Sequence, residues 1–225
     1  MKSVRFLMKL NEYREVGEVE MSKPFFSIIM PAHNAAGHIR KCLDSIKMQT
    51  FQDYELIVVA DNCSDDTAKI ALGYTDRLLI TWYGRDGLAR NDGIDAAQGE
   101  WILFLDDDDW WVHEYVLERL HHYATHTDAD LLPFQFIWPN DAHGRYYWDH
   151  AKYGINIAPW SKLYRRSFVG DTRFSDVERT SDEAFAYGLI DKIERGEGKY
   201  YFIHELYYYY NYMRPGSQTW EDKQK

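Results

Sequence analysis

Trp101-Ile102-Leu103-Phe104-Leu105 runs without a polar break into Asp106-Asp107-Asp108-Asp109, and this junction decides the fold. An uninterrupted apolar run of this kind reads as a strand buried on both faces of a sheet. It has to end where the carboxylates begin, because unpaired charges are too costly to bury. The acids therefore sit at a strand's carboxyl end. In open α/β sheets ligands bind along that edge, and clustered hard oxygens there suit a divalent cation holding a phosphate-bearing substrate. Taken alone, the four aspartates have a competing reading as a solvated acidic turn.

Upstream of this strand the pattern alternates. Phe25 to Met30 read as a strand stopped by Pro31, since proline removes a ladder donor. Ala36 to Met48 read as a helix with Ile39, Cys42, Leu43 and Ile46 on one face. A second buried strand covers Leu56 to Ala60, and the turn Asp61-Asn62-Cys63-Ser64 follows, with Ser64 placed to cap a helix beginning at Asp65, Asp66 and Thr67. Leu78 to Trp82 give a third strand, and Leu88 to Ala97 a helix ended by Gly99. Strands alternating with short helices predict right-handed crossovers and a mostly parallel, Rossmann-like α/β sheet flanked by helices.

Downstream the chain is less regular. The spacing predicts a helix over His113 to Thr125 with Val116, Leu117, Leu120 and Tyr123 inward, then a strand over Leu131 to Trp138. Pro139 to Pro159 reads as a long loop, of the length that is commonly functional. A helix over Asp182 to Glu194 carries Phe185, Leu189 and Ile193 on one face, and the tyrosine-rich Tyr200 to Tyr212 reads as strand. Residues 1–22 are mixed and charged, an N-terminal extension whose role the sequence leaves open.

Composition narrows the function classes. The 225 residues carry 26 basic and 36 acidic side chains, a formal charge of -10 that disfavours nucleic acid as a major partner. Cys42 and Cys63 make no disulfide framework, which fits a reducing, cytoplasmic setting. No apolar stretch reaches bilayer-spanning length, so the expected relation to a membrane is at most peripheral, through a partner. Oligomeric state is left open.

Several motifs, in order, resemble family-2 glycosyltransferases of the GT-A fold. They are Ser27 to Asn34, Tyr54 to Asp61, Leu88-Ala-Arg-Asn91 with Gly93, Gly99 to Trp111, Trp160 to Tyr164, Ser181 to Phe185, and Arg214 to Ser217. The likeness covers about residues 25 to 219. It implies one GT-A domain over 23–225, with a nucleotide-sugar-binding half at 23–111 and an acceptor-binding half at 112–225. It also implies an inverting transfer from a nucleotide diphosphate sugar, a UDP-sugar first, to an acceptor hydroxyl on a glycan, a lipid-linked sugar or a protein.

The resemblance assigns roles as well. Asp106 and Asp108 correspond to the family's paired acids, which would hold Mn²⁺ or Mg²⁺ against the donor's diphosphate, with Asp107 between them and Asp109 adjoining as rival ligands. Asp61 corresponds to the residue that accepts the imide N–H of a uracil base, its bland reading being a turn and helix cap. Pro31, His33 and Asn34 lie at the first strand's exit, where the family cradles base and ribose. Arg90 would present its fork to phosphate or a base carbonyl, with a structural ion pair as the alternative. Arg85 departs from the family's lead-in.

Asp182 corresponds to the general base, with Glu183 its rival. Arg214 and Ser217 resemble a lid over the phosphates. Trp110 and Trp160 offer flat faces for a sugar ring alongside Trp111, Trp138 and Trp148, and His204 is a third metal-ligand candidate. A nucleotidyltransferase or a metal-dependent nucleotide-sugar-binding protein is the alternative class. The former would want a glycine-rich, basic signature where Pro31-Ala-His-Asn34 stands.

Overall fold

The structure is a computed structural model and describes residues 6–8, 23–137, 146–147, 157–177 and 180–211. At one edge of the sheet β1 (Phe6–Met8) runs antiparallel to β4 (Arg77–Thr81). Inward from it β3 (Tyr54–Asp61), β2 (Phe26–Ala32) and β5 (Trp101–Phe104) continue in parallel, in the order β4-β3-β2-β5. The crossovers carry α1 (Ile39–Lys47), α2 (Thr67–Ala71) and α3 (Asp86–Ala96). Every residue of β2 and β5 is buried, as strands covered on both faces must be.

Beyond β5 the direction reverses. β9 (Lys162–Arg165) pairs antiparallel with β5, and β7 (Leu131–Ile137) pairs antiparallel with β9. β10 (Ile203–Tyr209) lies parallel to β7, and the two-residue β6 (Trp110–Trp111) pairs with its end. β8 (Tyr146–Tyr147) adds to β7. The expected α/β sheet flanked by helices is present; it is parallel over β4-β3-β2-β5 and mixed beyond β5, because β9 runs against both β5 and β7. The antiparallel β9 is what lets chain from the second half reach the carboxyl edge of β5.

Two glycines show how tightly the helices lie on this sheet. A Cβ on Gly93 of α3 would meet Ile29 Cγ2 of β2 at 2.3 Å, and one on Gly99 would meet the Ser27 backbone nitrogen at 2.6 Å. Any side chain there would push α3 or the entry of β5 away from the sheet.

Several expectations need correction. Pro31 does not stop β2; it lies within it, paired with Val59 of β3. The Ile29 carbonyl accepts from Leu105 on the β5 side, so the nitrogen of Pro31, two residues on, faces the same side just past the end of β5. No ladder donor is needed there. Ser64 does not cap α2; it donates to Asn34 Oδ1, and Asp65 accepts from the Thr67 N–H instead. Helix α3 ends in the extended Ala97, and Gly99 serves close packing rather than termination.

The helix expected from His113 begins later, as α4 (Val116–His126), and Tyr123 is only half-buried. Five short elements were not anticipated: β1, β6, β8, β9 and α5 (Arg166–Val169). The long loop from Pro139 falls largely outside the described residues, Trp138 and Trp148 with it; β8 lies inside it, and its end enters a 3₁₀ turn, Pro159–Ser161. The last helix, α6 (Ser181–Glu194), matches expectation to within one residue.

Candidate active site

Arg90 organises the carboxyl edge of the sheet. It rises from α3, is 3% exposed, and donates from Nη2 to Asp106 Oδ1 at 2.8 Å and from Nη1 to Asp86 Oδ2 at 2.5 Å. The same Nη1 stands 3.6 Å from Asp182 Oδ1, and the guanidinium lies over the Phe174 ring at 5.5 Å. Its Nε is buried without a hydrogen-bond partner among the described residues. Burial alone would weaken this cation; Asp106, Asp86 and Asp182 together hold its pKa well above the ordinary value. Arg90 therefore turns its fork to three acids, the arrangement of its ion-pair alternative.

The acids respond to the same environment. Burial pushes Asp106 up to about 7 against the pull of Arg90, and Asp108 and Asp182 add to the rise. Asp182, in the first turn of α6, is raised as well: burial first, then Asp86, opposed by Arg90 and by Lys162. Phe185, one turn on, is 1% exposed and stacks on Phe174 at 4.2 Å, with Phe104 and Tyr164 edge-on to it. That anchor fixes where the first turn of α6 projects.

The four aspartates divide. Asp107 accepts from the His33 N–H at 3.0 Å and meets His38 Nε2 at 3.3 Å, so it braces the loop between β2 and α1. Asp109 is fully buried and accepts from the Tyr208 hydroxyl at 2.5 Å and the Asn211 N–H at 2.7 Å, tying the acidic turn to β10. Burial pushes its carboxyl well above the usual range. Asp106 and the half-buried Asp108 are the two members not committed to those braces.

At the neighbouring strand exits Asn34 and Asn62 hold φ of 48° and 51°, the left-handed conformation that asparagine tolerates in tight turns. Asp61 is 3% exposed. Its Oδ1 accepts from the Thr81 hydroxyl at 2.8 Å and the Tyr83 N–H at 2.6 Å, and its Oδ2 accepts from the Arg85 N–H at 2.9 Å. It thus shapes the lead-in to α3, and among the described residues Oδ2 accepts one hydrogen bond where Oδ1 accepts two. His33 donates from Nδ1 to the Asp61 carbonyl at 2.7 Å, and its Nε2 accepts from Asn34 Nδ2 at 3.1 Å. Pro31, His33, Asn34 and Asp61 are thereby brought to one edge, while Arg85 pairs outward with Asp176 at 2.8 Å.

The aromatic candidates are largely engaged with one another. Trp160 is 7% exposed and stacks on Tyr208 at 4.5 Å and Tyr210 at 4.9 Å. Trp110 stacks on Tyr209 at 3.9 Å, with Lys41 Nζ 3.0 Å above its ring. Glu183 is half-buried next to Asp182. His204 is exposed at the start of β10, four residues before Tyr208 and so about 13 Å of strand from the acidic turn. Arg214 and Ser217 lie outside the described residues.

Residues 27–182 match the family model for glycosyl transferase family 2, over two thirds of the chain and across the whole carboxylate edge just described. The chain belongs to that family. The glycosyltransferase GlyA of Streptococcus pneumoniae is 27% identical to it over 228 residues, covering 88% of this chain and 32% of GlyA. The chain thus spans about a third of that relative's length. Among solved structures, Staphylococcus aureus TarS 1-349 in complex with UDP-GlcNAc superposes with a TM-score of 0.72 at 23% identity, over 86% of this chain and 60% of that one. The Pyrobaculum calidifontis mannosyltransferase PcManGT, in complex with GDP-Man and Mn²⁺, gives a TM-score of 0.64 at 16% identity, over 91% of this chain and 61% of that one. These likenesses identify the sheet as the GT-A glycosyltransferase fold.

On this family-2 scaffold the donor set suits a hard divalent ion. Among the described residues no three His, Cys, Asp or Glu side chains converge on one point. Asp106 and Asp108 offer two carboxylates, the share that Mg²⁺ commonly takes from a protein when substrate phosphates and water fill the remaining positions. Asp86 and Tyr208 were not anticipated as site builders, and Asn91 was anticipated only as a member of the Leu88-Ala-Arg-Asn91 motif. Asn91 grips the Phe174 backbone in both directions at 2.9 Å, setting the ring on which Phe185 stacks. The available signal was position: Asp86 stands four residues before Arg90 on α3, one helical turn away.

Proposed function

We propose that this chain transfers a sugar, with inversion, from a nucleotide diphosphate donor to an acceptor hydroxyl, with Asp182 as general base. The observation that carries this reading is the Arg90 fork, which brings Asp106 at the end of β5 and Asp182 at the start of α6 to one guanidinium, at 2.8 and 3.6 Å. A donor-side acid and a candidate base from distant parts of the chain meet there.

In the reaction the acceptor oxygen attacks the anomeric carbon as its O–H proton passes to the Asp182 carboxylate. The bond from that carbon to the diphosphate oxygen breaks, and the diphosphate leaves with the electron pair. A raised Asp182 favours accepting that proton. Asp106 and Asp108 would hold Mn²⁺ or Mg²⁺, which when bound neutralises charge growing on the leaving group. Arg90 keeps Asp106 and Asp182 apart and oriented, and the Phe174 and Phe185 stack fixes the base.

Asp61, with His33, Asn34 and Pro31, forms the base and ribose edge. The Asp61 carboxylate at this strand exit, with the second lone pair of its Oδ2, suits a uracil imide N–H, and TarS, solved with UDP-GlcNAc, supports a UDP-sugar. Residues 23–111 supply the donor side and 112–225 the acceptor side; Trp110, at the boundary, Trp160 and Glu183 are the acceptor contacts, and Arg214 serves the donor's phosphates. The acceptor is a hydroxyl of a glycan, lipid-linked sugar or protein. No helix among the described residues is long and apolar enough to cross a membrane.

Turnover of a panel of UDP-sugars, with metal removed by chelation and then restored, tests the reading. Metal-restored donor cleavage that Asp182→Asn abolishes supports it. Cleavage that persists at wild-type rate in Asp182→Asn contradicts it.

A further inference from the structure

Helix α4 (Val116–His126) buries Val116, Leu117, Leu120 and Ala124 against the core. Its other side presents His122 and His126, both exposed and four residues apart, so that they stand one turn above each other. Their ring centroids are 4.2 Å apart and the planes 28° apart. His126 Nδ1 lies 2.8 Å from the His122 carbonyl oxygen, which only accepts, so Nδ1 carries the hydrogen and Nε2 presents its lone pair outward. Anchoring one ring nitrogen on a backbone carbonyl is the device that orients metal-ligating histidines elsewhere.

We propose that His122 and His126 form a two-imidazole site for a borderline transition-metal ion, Zn²⁺, Ni²⁺ or Cu²⁺, with water completing the shell. Two neutral nitrogens select these ions over Mg²⁺ and Mn²⁺, which favour oxygen ligands. The site is therefore chemically distinct from the carboxylates at Asp106 and Asp108. It lies on the helix face turned away from the core, and it depends on nothing argued above about catalysis. Occupancy would clamp the last turn of α4, where backbone carbonyls otherwise lack intrahelical partners.

Calorimetric titration of the full chain, free of any added histidine tag, with NiCl₂ in chelator-free buffer tests the site. A saturable site is expected, weakened at least about tenfold in His122→Ala and in His126→Ala, because losing one imidazole removes the effective concentration that the shared turn provides. Asp108→Ala should leave it unchanged. Both histidines are exposed, so the variants keep the fold, which far-UV circular dichroism checks. Paramagnetic broadening by Ni²⁺ of the two imidazole resonances that the substitutions delete provides a second readout. Absence of saturable binding, or wild-type affinity in either histidine variant, overturns the proposal.

Discussion

At the scale of single residues the account rests on a buried arginine shared among acids. Removing Arg90 leaves Asp106 and Asp182 without their counter-ion, so Arg90→Met should cost about 3–5 kcal/mol of stability by denaturant melting, the usual penalty for breaking a buried pair. Asp182→Asn keeps the shape but removes the proton acceptor. Its kcat should fall about 10²–10⁴-fold, with donor KM little changed in steady-state assays. A base works only when deprotonated, so activity should rise with pH through the Asp182 value. Burial raises that value, so the acid limb of kcat/KM should lie above the ordinary carboxylate range, near 3.9.

Residue identity was legible where type and place coincide. The apolar run into four aspartates placed Asp106 at the sheet edge, and Phe185 as an anchor for Asp182 followed from helical spacing. What Arg90 faces was not legible, because a sequence does not say which of several neighbouring acids a long side chain will reach. Asp107 and Asp109 look identical to Asp106 and Asp108 in the sequence. Their separate duties toward His33 and Tyr208 arise only once β2 and β10 flank the turn.

At the scale of elements the close seat of α3 on β2 and the tie between α4 and β10 are the most exposed to test. Gly93→Ala sets a methyl 2.3 Å from Ile29 Cγ2, and overpacking should cost about 1–3 kcal/mol, read as a shift in the denaturation midpoint. Glu205 on β10 accepts from Arg119 and Tyr123 of α4 and from Tyr207; Arg119 above all holds its carboxyl down at about 2. A depressed folded value contributes stability above the unfolded pKa, and that contribution is lost as pH falls toward 2. The stability difference between wild type and Glu205→Gln should therefore be largest near neutrality and shrink below about pH 4, by chemical melts at several pH values.

Elements with strong periodicity were readable, and short ones were not. β6 and β9 have two and four residues and owe their existence to partners across the sheet, which local pattern does not encode. Pro31 misled for a definite reason: it is excluded only from strands where its missing donor would face a neighbour, and β5 has ended there.

At the scale of the whole molecule one sheet carries both sides of the proposed reaction. Parallel strands β2, β3 and β5 deliver the donor-side residues, and the reversal at β9 lets α6 bring Asp182 back to the same edge. The α/β alternation anticipated the fold, and the ordered motifs from Ser27 to Ser217 anticipated the family. The acceptor side was not readable, because the second half relies on long-range aromatic packing such as Trp160 on Tyr208. If Asp108 helps a divalent ion hold a nucleoside diphosphate at this edge, a thermal-shift titration of UDP with Mn²⁺ will show it. Wild type should be stabilised by about 2.7 kcal/mol at a hundred times the dissociation constant, only with metal and nucleotide together, and Asp108→Ala should lose the effect. Equal stabilisation of Asp108→Ala, or full stabilisation by UDP in chelated buffer, would contradict it.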